Sequence, residues 1–397
     1  MFKLPKNFNK YNTLLSLYLA QSIPMTFFST VMPVIMREEN YSLTSIGLLQ
    51  LVKLPWIFKF LWAPLVDGTN GNYKKWIFSS ELLYAILIFS VAFLDIQVDF
   101  TLIVIILAFA FTASATQDIA TDAFSYLILK KEERSTGSSI QSIGSFLGTV
   151  VGSGILLIIY HYYGWKYLLF ALAGFVVFAL IPLSYYKYDK ETVFKEPKKR
   201  VSFADIGLFF KQKDIWKRVL LLMFFYSGTI GILTMLKPWL VDLGYSIKEV
   251  GIYSGLIGAL FGAIAAFISG KMIKILGKKT SLKIILGFFV VVGFIFWRLA
   301  LTTPTYWILQ TAIISIWAAY GMATVFIYTT TMDVIRTGRA GTDFTIQIVL
   351  THIGSLFLAV ASGKIANSIG YSGLFLGEMI ISIILFITIP HLYKEID

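Results

Sequence analysis

The stretch SATQDIATDAF (114–124) sets two carboxylates, Asp118 and Asp122, four residues apart, with Thr116, Gln117 and Thr121 beside them. At helical spacing the pair shares one face. The flanking sequence is so apolar that the stretch reads as lipid-embedded, where a lone charge costs at least about 2.5–3.5 kcal/mol and marks function. The chemistry open to such carboxylates is proton uptake and release, since burial sets the charged form against the neutral one. Other ionisable groups at comparable depth are Lys53, Lys59, Glu81, Arg298, Asp343 and Glu378. Lys59 and Asp118 pair across neighbouring helices, and the residues leave two roles open. The pair either holds the helices together or breaks when Asp118 or Asp122 takes up a proton.

Group-transfer chemistry has no comparable residues. There is no H-E-x-x-H or G-x-S-x-G, and GKKTS (277–281) lacks the spaced glycine of a phosphate-binding loop. Cysteine is absent, and His161, His352 and His391 are too scattered for a zinc site or a general base. The chain is therefore expected not to be an enzyme and to hold no metal or cofactor, with its coupling energy drawn from an ion gradient or from the solute's own.

The elements that must position these groups follow from composition. Of 397 residues, 57% are hydrophobic and 14% charged, with mean hydropathy +0.76. Soluble chains run at about 45–50% apolar and about 25% charged. Uncharged runs predict twelve spans, near 12–36, 45–66, 76–94, 100–128, 136–160, 166–186, 217–236, 247–268, 281–301, 305–331, 342–362 and 371–390. At about 20 residues each they leave no room for a separate soluble domain. The basic amino terminus runs into apolar sequence without a small-residue cleavage signal, so the first span is expected to be retained. Prolines interrupt the first span (Pro24, Pro33) and the second (Pro55, Pro64), and Pro238 follows the seventh. AQSIP, with Gln21, is the polar point where the first span is expected to kink. Gly144, Gly148 and Gly152 follow small-xxx-small spacing, which packs one helix closely on another.

The excess of 34 Lys+Arg over 22 Asp+Glu gives a net charge of +12. With both termini inside, 25 of those cations fall in inner segments and 5 in outer loops, so the basic excess reflects orientation and calls for no nucleic acid. The longest hydrophilic stretch divides the chain into an N-terminal six-helix bundle (1–186), a cytoplasmic linker (187–216) and a C-terminal bundle (217–397). In the linker, 202–212 reads as a short amphipathic surface helix, and Lys198, Lys199 and Arg200 as a solvated cluster facing lipid phosphate. Tight basic loops recur at the same place in each half. One is APLVD (63–67) before Lys74 and Lys75; the other is GKMIKILGKK (270–279).

The second loop resembles G-x-x-x-D-x-x-G-R-K, the loop signature of the major facilitator superfamily, with Lys274 where the acid usually stands and Gly277 kept. The first loop keeps the acid, Asp67, but has Ala63 in place of glycine. Asp67 is expected at the inner helix ends, against the positive N-terminus of the eleventh span at Gly341 and Thr342, as a gating latch. LYLAQSIPMTFF (17–28), LVKLPWIFKFLWAPLVD (51–67) and ATQDIATDAF (115–124) resemble one branch of that superfamily. The branch holds muropeptide permeases linked to β-lactamase induction, acetyl-CoA transporters, and siderophore permeases of the rhizobactin and pyochelin type. WLVDLGYSIKEVGI (239–252) and RAGTDFTIQ (339–347) are similar to it too. The muropeptide permeases are commonly longer, and AGTDFTIQ looks more like the siderophore group.

The resemblance implies an all-α integral membrane protein, with two pseudo-symmetric six-helix bundles and alternating access. Its first, fourth, seventh and tenth helices line a central cavity. On that basis Gln21, Gln117, Asp118, Asp122, Lys237 and Tyr328 are cavity candidates and Lys59 the partner charge. Asp343 and Gln347 are reached from the inner end. The expected function is proton-coupled import of a siderophore or iron-siderophore complex across the bacterial inner membrane; the alternative is a permease for muropeptides or another small solute. The protein is expected to work as a monomer in the lipid bilayer, with indirect dependence on an outer-membrane receptor.

Overall fold

A computed structural model describes residues 6–42, 45–46, 49–69, 72–187, 201–302 and 304–393, and every regular element among them is helical. The cluster Lys198, Lys199 and Arg200 lies outside the described residues.

Among the described residues, six helical stretches are long and apolar enough to cross a membrane: Lys10–Glu38, Phe100–Ile128, Lys131–Tyr185, Lys248–Ala300, Tyr306–Val334 and Ala340–His391. Three of them are double. Gly164, Gly277 and Gly370, at φ of 78°, 78° and 74°, turn the chain inside otherwise continuous helix. Such φ values strain any residue with a Cβ. The six stretches therefore carry nine spans. The second and seventh are broken elements and the third, Tyr73–Val91, is one helix that carries Lys74, Lys75 and Glu81; the fold is an all-helical one of twelve spans.

Local chemistry explains the breaks. In the first span a π turn, Phe27–Val31, joins Lys6–Thr26 to Met32–Glu38. It falls between Pro24 and Pro33, and Pro33 has no N–H to give the carbonyl of Ser29. The second span is in pieces, Gln50–Lys53, Leu54–Phe58, Lys59–Leu61 and Ala63–Asp67, and both α pieces open on a proline. The seventh, expected as one helix, is interrupted by turns at 225–229 between Ile215–Phe224 and Ile230–Asp242.

The chain forms two compact units. Unit 1 takes 1–131, 144–208 and 335–346; unit 2 takes 132–143, 209–334 and 347–397. The first turns of the fifth and of the eleventh span thus group apart from the rest of their own helices. Within unit 1, Phe27, Phe28, Ile88, Phe111 and Leu169 share a core, and the rings of Phe28 and Phe111 meet edge to face at 4.6 Å. Gly144, Gly148 and Gly152 let the fifth span close on the first: a Cβ at Gly148 would stand 2.6 Å from Ser22 Cβ and 2.7 Å from the Leu19 carbonyl. Within unit 2, Phe225 stacks on Phe326 at 5.6 Å and anchors the seventh-span break. Large apolar side chains are left outside, among them Ile86, Phe109 and Phe357, each more than 60% exposed. A lipid solvent explains that surface; water does not.

Candidate functional site

The fourth span, Phe100–Ile128, is one unbroken helix that buries Gln117, Asp118, Thr121 and Asp122. Opposite it, the 3-10 turn Lys59–Leu61 of the second span aims Lys59 inward, where it is wholly buried. Lys59 Nζ donates to Asp118 Oδ2, and Gln21 Nε2 of the first span donates to Asp118 Oδ1. The ammonium also lies 4.9 Å from the Trp56 ring centroid, a cation–π contact. With both charges out of water, neither is screened, and each depends on the other for solvation.

Asp122, one turn along the same face, accepts from Tyr18 Oη at 3.0 Å. Gln117 Nε2 donates to Thr121 Oγ1 at 2.9 Å. The carbonyl oxygens Gln21 Oε1 and Gln117 Oε1 are buried without a hydrogen-bond partner. Buried acceptors left open are costly; Gln21 belongs to the charged pair's own hydrogen-bond set and Gln117 precedes Asp118 in the chain, and a ligand's donors would satisfy both.

A second cluster in unit 1 surrounds Asp67. Its carboxylate accepts from Gly341 N–H (2.8 Å), Thr342 N–H (2.7 Å), Thr342 Oγ1 (2.6 Å) and Tyr73 Oη (2.6 Å). The two N–H groups belong to the first turn of the eleventh span, where no intrahelical acceptor exists and the helix dipole favours an anion. A Cβ at Gly341 would stand 2.9 Å from Asp67 Oδ1, so only glycine admits so close an approach. Next in the chain, Asp343 is fully buried and takes a forked contact from Arg336, with Nη2 on Oδ1 at 2.6 Å and Nε on Oδ2 at 2.9 Å. Arg336 Nη2 also donates to the Asp205 carbonyl at 2.8 Å, and Arg339 Nε donates to Asp205 Oδ1. The linker helix is shorter than the 202–212 expected, Ala204–Phe209, and Asp205 ties it down. Burial opposes the Asp205 carboxylate, yet the Arg339 and Ser202 hydrogen bonds and the charges of Arg339 and Arg336 outweigh it and hold its pKa below the usual range.

In unit 2, Gln347 is fully buried and accepts from Arg218 Nε at 3.0 Å. The same guanidinium donates to Thr330 Oγ1 and Thr331 Oγ1, both at 3.0 Å. Asp333 is shared by Lys278 (2.7 Å) and Arg134 (3.1 Å). Lys278 is thus the cation that the second basic loop commits to an ion pair; Lys274 is exposed and Gly277 makes the turn itself. Lys237 is exposed, and Tyr328 is half-buried near enough to Tyr226 to interact with it. Gln21, Lys59, Gln117, Asp118, Asp122, Asp67 and Asp343 therefore belong to unit 1, and Lys237, Tyr328, Gln347, Lys274 and Gly277 to unit 2. Arg218, Asp333, Arg336, Arg339 and Asp205 were not anticipated. Their signal in the sequence is a set of charges lying just outside the apolar runs, which bears on orientation and does not reveal pairing.

Comparison with known proteins follows the same lines. Residues 14–357 match the family model described as Major Facilitator Superfamily. The chain is 25% identical over 378 residues to the anhydromuropeptide permease of Escherichia coli K12, covering 91% of this chain and 75% of that one. It is 26% identical over 370 residues to an uncharacterised protein of Haemophilus influenzae, covering 88% and 86%. Among solved structures, a bacterial homologue of the iron transporter ferroportin in an outward-facing state superposes with a TM-score of 0.71 at 16% identity, over 97% of this chain and 99% of the other. The Escherichia coli fucose:proton symporter does so with 0.71 at 13%, over 97% and 99%. At those identities the structures speak to the fold alone.

Proposed function

The chain belongs to the major facilitator superfamily, a multi-pass membrane protein and secondary transporter and not an enzyme, and from that premise we propose that it imports muropeptides, fragments of peptidoglycan, together with protons. The observation that carries the solute class is the similarity to an anhydromuropeptide permease along nine-tenths of the chain. It favours the muropeptide alternative over the siderophore drawn from AGTDFTIQ and from length.

Geometry supports the coupling. Asp118 is held by a cation and an amide, and a proton on its carboxyl group cancels the charge that keeps Lys59 in place. In this reading protonation frees Lys59, and the open acceptors of Gln21 and Gln117 take donors from the solute's amide and hydroxyl groups. Asp67 is the latch: it holds the first turn of the eleventh span in one state and releases it in the other. Both termini are placed on the cytoplasmic side by the distribution of Lys and Arg, and the working unit is a monomer.

The test is uptake of radiolabelled anhydromuropeptide and of a panel of iron-55 siderophore complexes by cells lacking their own permeases, with and without a protonophore. Muropeptide uptake abolished by the protonophore is the expected outcome. Iron uptake without muropeptide uptake would overturn the solute class and leave the fold intact.

A further inference from the structure

The seventh-span break leaves a helix start inside unit 2. After the turns at 225–229 the chain re-enters helix at Ile230, and Thr229, at its N-cap, makes no side-chain cap. The Ile230 N–H goes back to the Tyr226 carbonyl at 2.9 Å, but the next donor, Gly231 N–H, has no acceptor within its own helix. The twelfth span supplies one: Glu378, 4% exposed, accepts the Gly231 backbone hydrogen bond. Glycine at 231 is what permits this. A Cβ there would collide with the carboxyl group and stand 2.6 Å from Ser362 Oγ of the eleventh span. One turn from Glu378, Ser382 Oγ donates to the Gly228 carbonyl, which the break has freed, at 3.2 Å.

Capping uses one carboxyl oxygen. The other, Glu378 Oε2, is buried with no hydrogen-bond partner. The seventh span presents Gly228 and Gly231 to this spot, the eleventh presents Ser362 and the twelfth Ser382; among the described residues no charged or titratable side chain acts on Glu378 from any of them. Two opposed tendencies meet there. The positive end of Ile230–Asp242 favours a carboxylate, and burial without a counter-ion favours the neutral acid. The cap itself survives either way, because Gly231 N–H needs only one acceptor and the free oxygen is where a proton would sit.

We infer that Glu378 is a proton-binding site of the second unit, one whose free oxygen, Oε2, gains and loses the proton while Oε1, against Gly231, keeps the broken seventh span capped. The inference deepens the proton-coupled reading and rests on it for physiological meaning, but binding of the proton can be read without any solute. Lys59 and Asp118 belong to the other unit and have no share in this site.

The experiment is an infrared pH titration of the full chain in proteoliposomes. Wild type is expected to show a protonated-carboxyl C=O band that titrates and is absent from Glu378→Gln, which keeps the cap acceptor but cannot change charge. The band is expected to persist in Asp118→Asn. Glu378→Asp, the second variant, should move the band, because its shorter side chain withdraws from Gly231. Wild-type spectra from Glu378→Gln, or from Glu378→Asp where Glu378→Gln does not reconstitute, would overturn the assignment. A second readout uses anhydromuropeptide. Each proton per solute sustains about tenfold accumulation per pH unit, so loss of one site should cost that factor of ten while solute counterflow continues. Failure of all muropeptide transport with the band intact would refute the solute and spare the proton site.

Discussion

Replacing Lys59 by Met or Asp118 by Asn takes one partner from a pair that is 0% and 2% exposed. The magnitude follows from that burial. At a separation of about 4 Å and an effective dielectric of about 20, two unit charges attract by about 4 kcal/mol, and an unpaired buried charge is typically worth about 3–5 kcal/mol of destabilisation. Lys59→Met should lie in that range, because Asp118 then keeps only the Gln21 amide. Asp118→Asn should fall at its lower end, because Gln21 and the Asn amide can still bond each other. The double variant should regain most of the loss, giving a coupling of several kcal/mol, on the order of the 1.5–7 measured for close charge pairs. The assay is unfolding of purified protein in mixed detergent micelles, followed by tryptophan fluorescence for all four chains of the cycle. Additive losses in the double variant would refute the pair as an energetic unit. Transport separates its two roles: a double variant that is stable but fails to accumulate solute assigns the pair to coupling, and one that accumulates as wild type reduces it to a structural tie.

Further expectations can be checked singly. Gly148→Ala should cost about 1–3 kcal/mol of stability by forcing the first and fifth spans apart, while Gly154→Ala, with nothing within 4 Å of its added carbon, should be close to neutral; thermal unfolding of the two variants decides. Asp67→Ala strips the acceptor from Gly341 and Thr342, at about 1–3 kcal/mol for buried donors left open, and should speed hydrogen exchange at those two amides; unchanged exchange would remove the latch. For Asp205 the folded pKa is lowered, so its contribution to stability is full above the unfolded value of about 3.9 and is lost only as pH falls through the folded one. The stability difference between wild type and Asp205→Asn should therefore stay constant from about pH 5 to pH 8 and close only in stronger acid.

Much of the site was legible because charge in an apolar run is conspicuous. Asp118, Asp122 and Lys59 stand out by type and depth, and the proline pairs mark the first and second spans as irregular, although the first helix runs on through Gln21 and Pro24 to Thr26 and departs at Phe27–Val31, beyond the kink expected at AQSIP. The glycine row of the fifth span was equally plain, since its spacing matches the face it packs with. The seventh-span break was not legible: Tyr226-Ser-Gly-Thr229 holds no proline, and only the crossing of the twelfth span, with Ser382 on the Gly228 carbonyl and Glu378 on Gly231, makes a gap in the helix tolerable. Glu378 itself stands out as a charge at depth, but nothing near it in sequence says what it caps.

Composition and apolar run length by themselves determined that this chain lives in lipid as a bundle of helices, because each span must satisfy its own backbone and the solvent sets its length. Local chemistry likewise put the turn of the second basic loop on Gly277. Partnership was decided only by tertiary structure. Asp67 meets Thr342 across 275 residues and Arg218 meets Gln347 across 129, and a hydrogen bond depends on distance and direction in space, neither of which leaves a mark on sequence spacing.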